Sequence, residues 1–459
     1  MNKIIKDELL VKNIIRAIEI SGGDRQYPPM FVWDKVDKNE IFKAWQNVRQ
    51  EIITSNYKNK IGLYLHVPFC LSKCSYCTFF SFSKKDDKYY DDYLLLLKNE
   101  IALLKDFFQG ISFYSVYIGG GTPSILEVEQ INELFKLIKG NFDLTDCQQI
   151  IFEASPRTLT PDKLRVLKEN NVDRLTIGIQ TTDKEILKKT DRVQTLGMIE
   201  EVIKETKKFG IEFINLDIMA GLPGQSVESF LKTLKYVVRL KPQKISVSPF
   251  RPTQMTRFAQ QGNKLSKKDI FNRQVMYDLS QKFVPKFNKR YEGAANIQFK
   301  FYEIREDYSS ILGLGCGAIS HAAGYLEYTN KDIKSYHDNL IKKQLPEIIG
   351  YKLSKKEEMH HYVTNNLGGG VSKKKIKEVY GFEPDKIFAA EFKDLVKKNL
   401  IKNDEQAFEL IDRAKQDFNT NRIYFYSDEV IAKFLNKIKW EPSLDKINKE
   451  LKEFYIKES

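Results

Sequence analysis

A chain of 459 residues, 42% hydrophobic and 29% charged, is too long for one hydrophobic core and has the make-up of a folded protein of two or three domains. Its five cysteines do not make a disulfide framework, and no apolar run approaches the length of a bilayer span, so a stapled secreted scaffold and a membrane protein are both excluded. The net charge of +13 is scattered over every segment as lysine, which reads as a solvated basic surface and not as a nucleic-acid interface; a cytoplasmic, reducing location is expected.

Residues 1–60 begin with an amphipathic stretch, Leu9 to Ile18, and end with a helical pattern from Asn39 to Ile53. Between them lies SGGDRQYPPMFVWDK, whose glycines, prolines and aromatics predict an ordered strap over a neighbouring surface.

The next stretch, residues 62–82, reads GLYLHVPFCLSKCSYCTFFSF. Gly62 to Val67 is a strand ended by Pro68, so Cys70, Cys74 and Cys77 sit on a loop at its carboxyl end. Soft thiolates suit zinc or an iron–sulfur cluster. A structural zinc takes four closed ligands, and the nearest further candidate, His66, lies back inside the strand. Three thiolates on a cubane cluster leave one iron open for a ligand.

From Gly62 to Pro249 a short β-branched run, a loop and a helical pattern repeat. Strands are expected at 62–67, 115–118, 150–154, 174–179, 214–219 and 244–248, with helices near 90–108, 128–139, 161–170, 195–209 and 227–240. Nearly continuous apolar strands alternating with helices predict an α/β fold, a partial (β/α)6 TIM-like barrel, with its functional residues at the carboxyl ends of the strands. Those ends carry Gly119-Gly120-Gly121-Thr122-Pro123, Glu153, Gln180 with Arg192 a little beyond, and Asp217. Each alone reads as a cap or an ion pair; together they describe a mouth able to hold a zwitterionic amino acid and a ribose.

Residues 250–350 extend the barrel through RPTQMTRFAQQG and a Gly-rich turn, Ile311 to Ser320. Cys316 and Cys147 read as packing residues, and His321 as a structural histidine with some prospect of facing a substrate. Residues 351–430 predict a small winged-helix-like α+β domain of three short helices and a β wing ending in IYFYSDE, and residues 431–459 a helical tail. His360 and His361 are adjacent on one helix and point to different faces, so they are not expected to share a metal.

The Cys70-x3-Cys74-x2-Cys77 spacing with Tyr76 before the last cysteine resembles the radical S-adenosylmethionine (SAM) signature. With LYLHVPFC, YIGGGTPS, FEASPRTL, RLTIGIQ, NLDIMAGLPGQS and LGLGCGAISH, residues 15–425 resemble the oxygen-independent coproporphyrinogen III dehydrogenase family, which also holds haem chaperones and haem-degrading methyltransferases. The resemblance implies a 4Fe–4S cluster on Cys70, Cys74 and Cys77. It implies one or two SAM molecules met by Tyr64, Tyr76, Gly120, Gly121, Thr122, Glu153, Gln180, Arg192, Asp217, Arg251 and Ile319. It further implies a 5′-deoxyadenosyl radical acting on a tetrapyrrole, coproporphyrinogen or haem, and an electron donor of the flavodoxin or ferredoxin type. GGDRQYPPM is similar to the family's substrate-covering segment, which would bring Arg25 and Tyr27 to a tetrapyrrole carboxylate. Where the dehydrogenases continue Cys-Gly-Cys-Asn, this chain has Cys77-Thr78-Phe79-Phe80, a feature compatible with the methyltransferase branch; where the chaperones carry a haem-binding patch it has EIREDYSS at 303–310.

Overall fold

The computed structural model describes residues 8–20, 27–54, 60–83, 87–253, 255–288, 309–411, 414 and 418–438. The chain opens with helix α1 (Glu8–Ile20), edge strand β1 (Asp34–Val36) and helix α2 (Lys38–Thr54). Leu10, Val11, Ile14 and Ile18 form the buried stripe of α1. The strap after Tyr27 thus carries a strand that the sequence reading did not foresee. A three-residue edge strand has no alternation long enough to register.

The parallel sheet follows in chain order: β2 (Ile61–Val67), β5 (Ser115–Gly120), β6 (Gln149–Ala154), β7 (Arg174–Gln180), β8 (Phe213–Ala220) and β9 (Lys244–Pro249) are neighbours in that sequence, each paired in parallel with the next. The two-residue strands β3 (Phe69–Cys70) and β4 (Phe82–Ser83) pair with each other above β2. Helices α3 (Asp87–Leu104), α4 (Val128–Asn141), α5 (Pro161–Glu169), α6 (Lys184–Lys189), α7 (Leu196–Lys208) and α8 (Val227–Arg239) connect the strands. Their starts are set locally: Thr160, Asp183, Thr195 and Ser226 each accept a backbone N–H of the first turn through the side chain. Phe230, Leu234 and Val237 of α8 then face inward at i, i+4 and i+7. This is the partial (β/α)6 barrel that the strand pattern predicts.

After α9 (Arg257–Gln260) and α10 (Lys267–Asn288), the chain returns as β10 (Ser310–Leu314) on the open side of β2, in parallel with it. Then β11 (Ile319–Ala322), β12 (Leu326–Thr329), helix α11 (Ile333–Leu340) and β13 (Ile348–Lys352) add an antiparallel meander, and β1 closes the far edge of an 11-stranded sheet. The Gly-rich run is therefore a strand, a tight turn and a second strand. Gly313 permits this, since a Cβ there would lie 2.5 Å from the Ile319 carbonyl oxygen.

Alternation splits the meander between two cores. Ala322, Leu326, Tyr328 and Ile348 join the barrel core with Trp45 of α2, while Ile319, Ala323, Ile349 and Tyr351 join a second core with α1 and the C-terminal elements. That second core is built on helix α12 (Lys355–Asn366), strands β14 (Val371–Ser372), β15 (Ile401–Asn403) and β16 (Ala407–Leu410), and an aromatic cluster of Phe388, Phe392, Phe408 and Phe425. The small sheet comes from the turn after Ile401. IYFYSDE is not a strand: Arg422–Phe425 is a 3-10 turn leading into the helix Asp428–Ile438, because Phe425, Tyr426 and Val430 are all buried and leave no alternating face. The tail beyond Ile438 lies outside the described residues.

Candidate cofactor site at the strand ends

The cysteine loop is anchored on both sides. Phe82 N donates to the Pro68 carbonyl at 2.7 Å, which closes the loop at its base. Across it, Ser75 N donates to Thr190 O at 3.1 Å, Phe258 N to Ser75 O at 2.9 Å, and Arg257 Nη1 to Lys73 O at 2.9 Å. Tyr76 packs with Ile186, Leu222 and Phe250, and Cys74 and Cys77 rest against this cluster. Burial raises the Cys70 thiol and pushes Cys77 up to about 12, so in the bare protein these are neutral thiols in apolar surroundings. Cys147 and Cys316 sit elsewhere: Cys147 Sγ is 3.6 Å from Gln149 O, and the buried Cys316 Sγ is 3.3 Å from Asn330 Oδ1.

His66 is a framework residue. Its Nε2 lies 2.8 Å from the Phe80 carbonyl and must donate there, so Nδ1 accepts from the Tyr64 hydroxyl at 2.9 Å. Burial depresses its pKa to about 4, which keeps the ring neutral. The ring also fixes the glycine loop, because Gly120, at φ +113°, has space for a Cβ only 2.9 Å from it. At Gly121 a Cβ would lie 2.5 Å from the Phe69 carbonyl oxygen. Gly121 N donates to Val67 O and Thr122 N to Phe69 O, both at 2.8 Å, and Thr122 Oγ1 lies 3.5 Å from Cys70 Sγ. The glycine backbone is thereby stitched to the cysteine loop.

Beside this seam stand the polar side chains. Glu153 on β6 accepts from Gly120 N at 3.3 Å and from the Tyr117 hydroxyl; burial, with the charge of Asp217 adding to it, raises its carboxyl to about 7. Asp217 on β8 accepts from Asn215 Nδ2 at 2.6 Å and is raised by burial to about 6. Gln180 ends β7 in the left-handed region at φ +65°, where the pairing with β8 shifts register. Its amide and the Arg192 guanidinium both lie over Gly178, where a Cβ would come within 2.8 Å of Gln180 Nε2 and 3.4 Å of Arg192 Nη2. Arg192 donates to the Gly178 carbonyl, to Gln194 Oε1 at 2.9 Å and to the Tyr76 hydroxyl at 3.2 Å, and its Nη1 is 3.9 Å from Cys74 Sγ.

The structure thus sets Tyr76, Arg192, Gly121 and Thr122 against the cysteine loop, Gly120 against Glu153 and Gln180 with Arg192 over Gly178, while Tyr64 bonds His66 and Asp217 acts on Glu153 through its charge. Ile319 follows the Gly315–Gly317 turn, where a Cβ on Gly317 would meet His66 Nε2 at 3.0 Å; Arg251 enters on the segment after β9 that leads to Arg257. Tyr27 is not at this site: it is fully buried in the second core, with its hydroxyl on the Glu357 carboxylate and accepting Ser427 N at 3.3 Å. His321 likewise faces Glu358, at 2.9 Å. Arg25 and residues 303–308 of EIREDYSS lie outside the described residues. Sequence reasoning missed Tyr117 and Gln194, which hold Glu153 and Arg192. Tyr117 shares the strand face of Gly119, so alternation along β5 was its available signal.

Three thiols on one anchored loop, beside a glycine seam with no room for side chains, with the buried Glu153 on that seam and the Arg192 guanidinium against Tyr76 and Cys74, fit a metal–sulfur cluster with an amino-acid-like ligand next to it. The radical SAM superfamily model matches residues 64–237. The haem chaperone HemW of Buchnera aphidicola (Acyrthosiphon pisum) is 30% identical over 319 residues, 66% of this chain and 82% of that protein. The oxygen-independent coproporphyrinogen III oxidase of Escherichia coli is 29% identical over 301 residues, 61% of this chain and 65% of that one. The solved E. coli coproporphyrinogen III oxidase, HemN, superposes with a TM-score of 0.72 at 23% identity, covering 84% of this chain and 93% of HemN, and so shares its fold. The chain belongs to the family of radical SAM proteins that includes HemW and the oxygen-independent coproporphyrinogen III oxidases, and its cofactors are a 4Fe–4S cluster and S-adenosylmethionine.

Proposed function

We propose that this protein is a radical SAM enzyme acting on a tetrapyrrole, in the manner of the coproporphyrinogen III oxidases. The observation that carries the reading is the placement of Arg192 against Tyr76 and Cys74 and of Glu153 on the glycine seam that is stitched to the cysteine loop. In this assignment the three cysteines ligate the cluster. Tyr64, Tyr76, Gly120, Gly121, Thr122, Glu153, Gln180, Arg192 and Asp217 contact SAM, with Arg251 and Ile319 at the edge of the set. When bound, cluster and SAM supply reductive generation of a radical able to abstract hydrogen. The protein's part is positional. Arg192, clamped by Gly178, Gln194 and Tyr76, presents fixed positive charge to a carboxylate, and Glu153, once deprotonated, receives an ammonium. The barrel wall excludes water. Phe79, two residues past Cys77 and 58% exposed, offers an apolar surface to a macrocycle.

The tetrapyrrole substrate is supported by the names of the relatives, HemW and coproporphyrinogen III oxidase. A second reading, a haem chaperone, is favoured by the greater share of HemW that the chain covers, 82% against 65% of the oxidase. Anaerobic incubation of cluster-reconstituted protein with SAM and dithionite separates the readings. Vinyl products and carbon dioxide from coproporphyrinogen III support the oxidase. Methylated or opened haem with S-adenosylhomocysteine replaces it with a methyltransferase. Stoichiometric haem uptake without SAM consumption identifies a chaperone.

A further inference from the structure

A second cluster of metal-binding side chains lies away from the cysteine loop, where the meander meets α12. His321 of β11 stands directly opposite Glu327 of β12 in antiparallel register, so both project from the sheet face that meets the second core. Glu358 and His361, three residues apart on α12, meet them from the other side. All four are buried: His321 at 6%, Glu327 at 2%, Glu358 at 1% and His361 at 6%.

The donor atoms converge. One ligand atom each of His321, Glu327 and His361 lies within 4.8 Å of the others. Glu358 Oε1 is 2.9 Å from His321 Nε2 and 3.8 Å from His361 Nδ1. Tetrahedral ligands at ~2.0–2.1 Å from a zinc ion are ~3.3 Å apart, so three donor atoms within 4.8 Å of one another are close enough to converge on one ion, with Glu358 beside His321. Outer contacts hold the ligands in place: Glu358 Oε2 accepts from Gly324 N at 3.0 Å, and His361 Nε2 faces the Asn365 amide at 3.1 Å. The two imidazole rings lie 4.7 Å apart, tilted by 20°.

His321, Glu327 and His361 are a donor set suited to zinc, two imidazoles and a carboxylate, and the Glu358 carboxylate bonded to His321 is placed to orient its ring. We propose that His321, Glu327 and His361, with Glu358 beside them, bind a divalent transition-metal ion, zinc foremost, which pins helix α12 to the β11–β12 hairpin. An expectation built on His360 and His361 alone misses the cluster because its other members come from a hairpin 30 to 40 positions upstream.

The test uses the full-length chain. Purified wild-type protein is analysed for zinc by mass spectrometry and by X-ray absorption at the zinc edge. The expected result is about one zinc per chain with a first shell of nitrogen and oxygen and imidazole outer scattering. A sulfur-containing shell places the ion on the cysteine loop and overturns the proposal. For affinity, Cys70, Cys74 and Cys77 are replaced by serine so that the loop cannot compete. Zinc chloride then raises the melting temperature of the metal-stripped chain, and Glu327→Gln or His361→Asn weakens zinc binding at least about tenfold. If the serine background binds no zinc and its melting temperature is unmoved, the proposal falls. Neither the absorption measurement nor the background titration depends on a ligand variant folding.

Discussion

Glu153 links the site to solution pH. Its buried carboxyl titrates near 7, above the ordinary carboxyl value of 4.5, so over that interval the folded, ligand-free chain holds a proton that the unfolded chain has lost. The group's contribution to stability is therefore full below 4.5 and is lost as pH rises through about 7. Binding of an ammonium has the opposite requirement, since it needs the carboxylate. SAM affinity of the cluster-loaded protein should rise with pH through about 7, while the melting temperature of the bare chain falls over the same window. Glu153→Gln should flatten the first profile and reduce the slope of the second, as read by equilibrium dialysis and thermal melts; an unchanged dialysis profile would remove Glu153 from the ligand set. Glu153 and Gln180 were legible as candidates because they lie at the ends of β6 and β7, strands whose positions were plain. Tyr117 and Gln194 were not: they act on Glu153 and Arg192 through contacts that only folding creates.

At the scale of elements, the seam between β5 and the cysteine loop is a backbone contact that tolerates no methyl group. Gly121→Ala places a Cβ where the Phe69 carbonyl stands, 2.5 Å away, and the loop must move to relieve it. Reconstituted Gly121→Ala protein should hold much less cluster iron than wild type, while far-ultraviolet circular dichroism stays the same. On the other side of the sheet, Trp45 fixes α2 to the meander. It is fully buried, packs edge-on against Phe108 at 5.1 Å and donates Nε1 to the Tyr328 hydroxyl at 2.9 Å. Trp45→Ala should cost about 3–5 kcal/mol, measured by denaturant unfolding of the bare chain. Most strands of the barrel were readable because both of their faces are covered, which leaves apolar runs such as QIIFEA and FINLDIMA with little else to become. The meander was not, since its strands are short, glycine-rich and divide their faces between two cores. Helix α10 escaped for a related reason, as its buried residues, Met276, Ser280, Val284 and Phe287, include a serine and share the helix with Pro285.

For the whole molecule, under the function proposed above, the charge of +13 would act on the approach of an acidic electron donor. A flavodoxin-like donor is acidic, and its encounter with a basic chain is steered over a distance that shrinks from ~30 Å at 0.01 M salt to ~8 Å at 0.15 M. Turnover driven by such a donor should fall about tenfold or more across that range, whereas dithionite-driven turnover should not follow it. Equal salt dependence in the two assays would assign the lysines to solubility alone. Among the described residues no helix is long and apolar enough to cross a membrane.

The pairing of β2 with β10 has a consequence for the order in which the protein is made. The strand that carries the cysteine loop is flanked by β5 on one side and, on the other, by a strand that begins at Ser310. Ribosomes add ~5–20 residues per second, so a nascent chain holds its three thiols beside an open sheet edge for roughly ten to fifty seconds before the partner strand emerges. An edge of that kind invites pairing with another chain. Truncations ending before Ser310 are thus expected to aggregate even though every cysteine and every glycine of the seam is present.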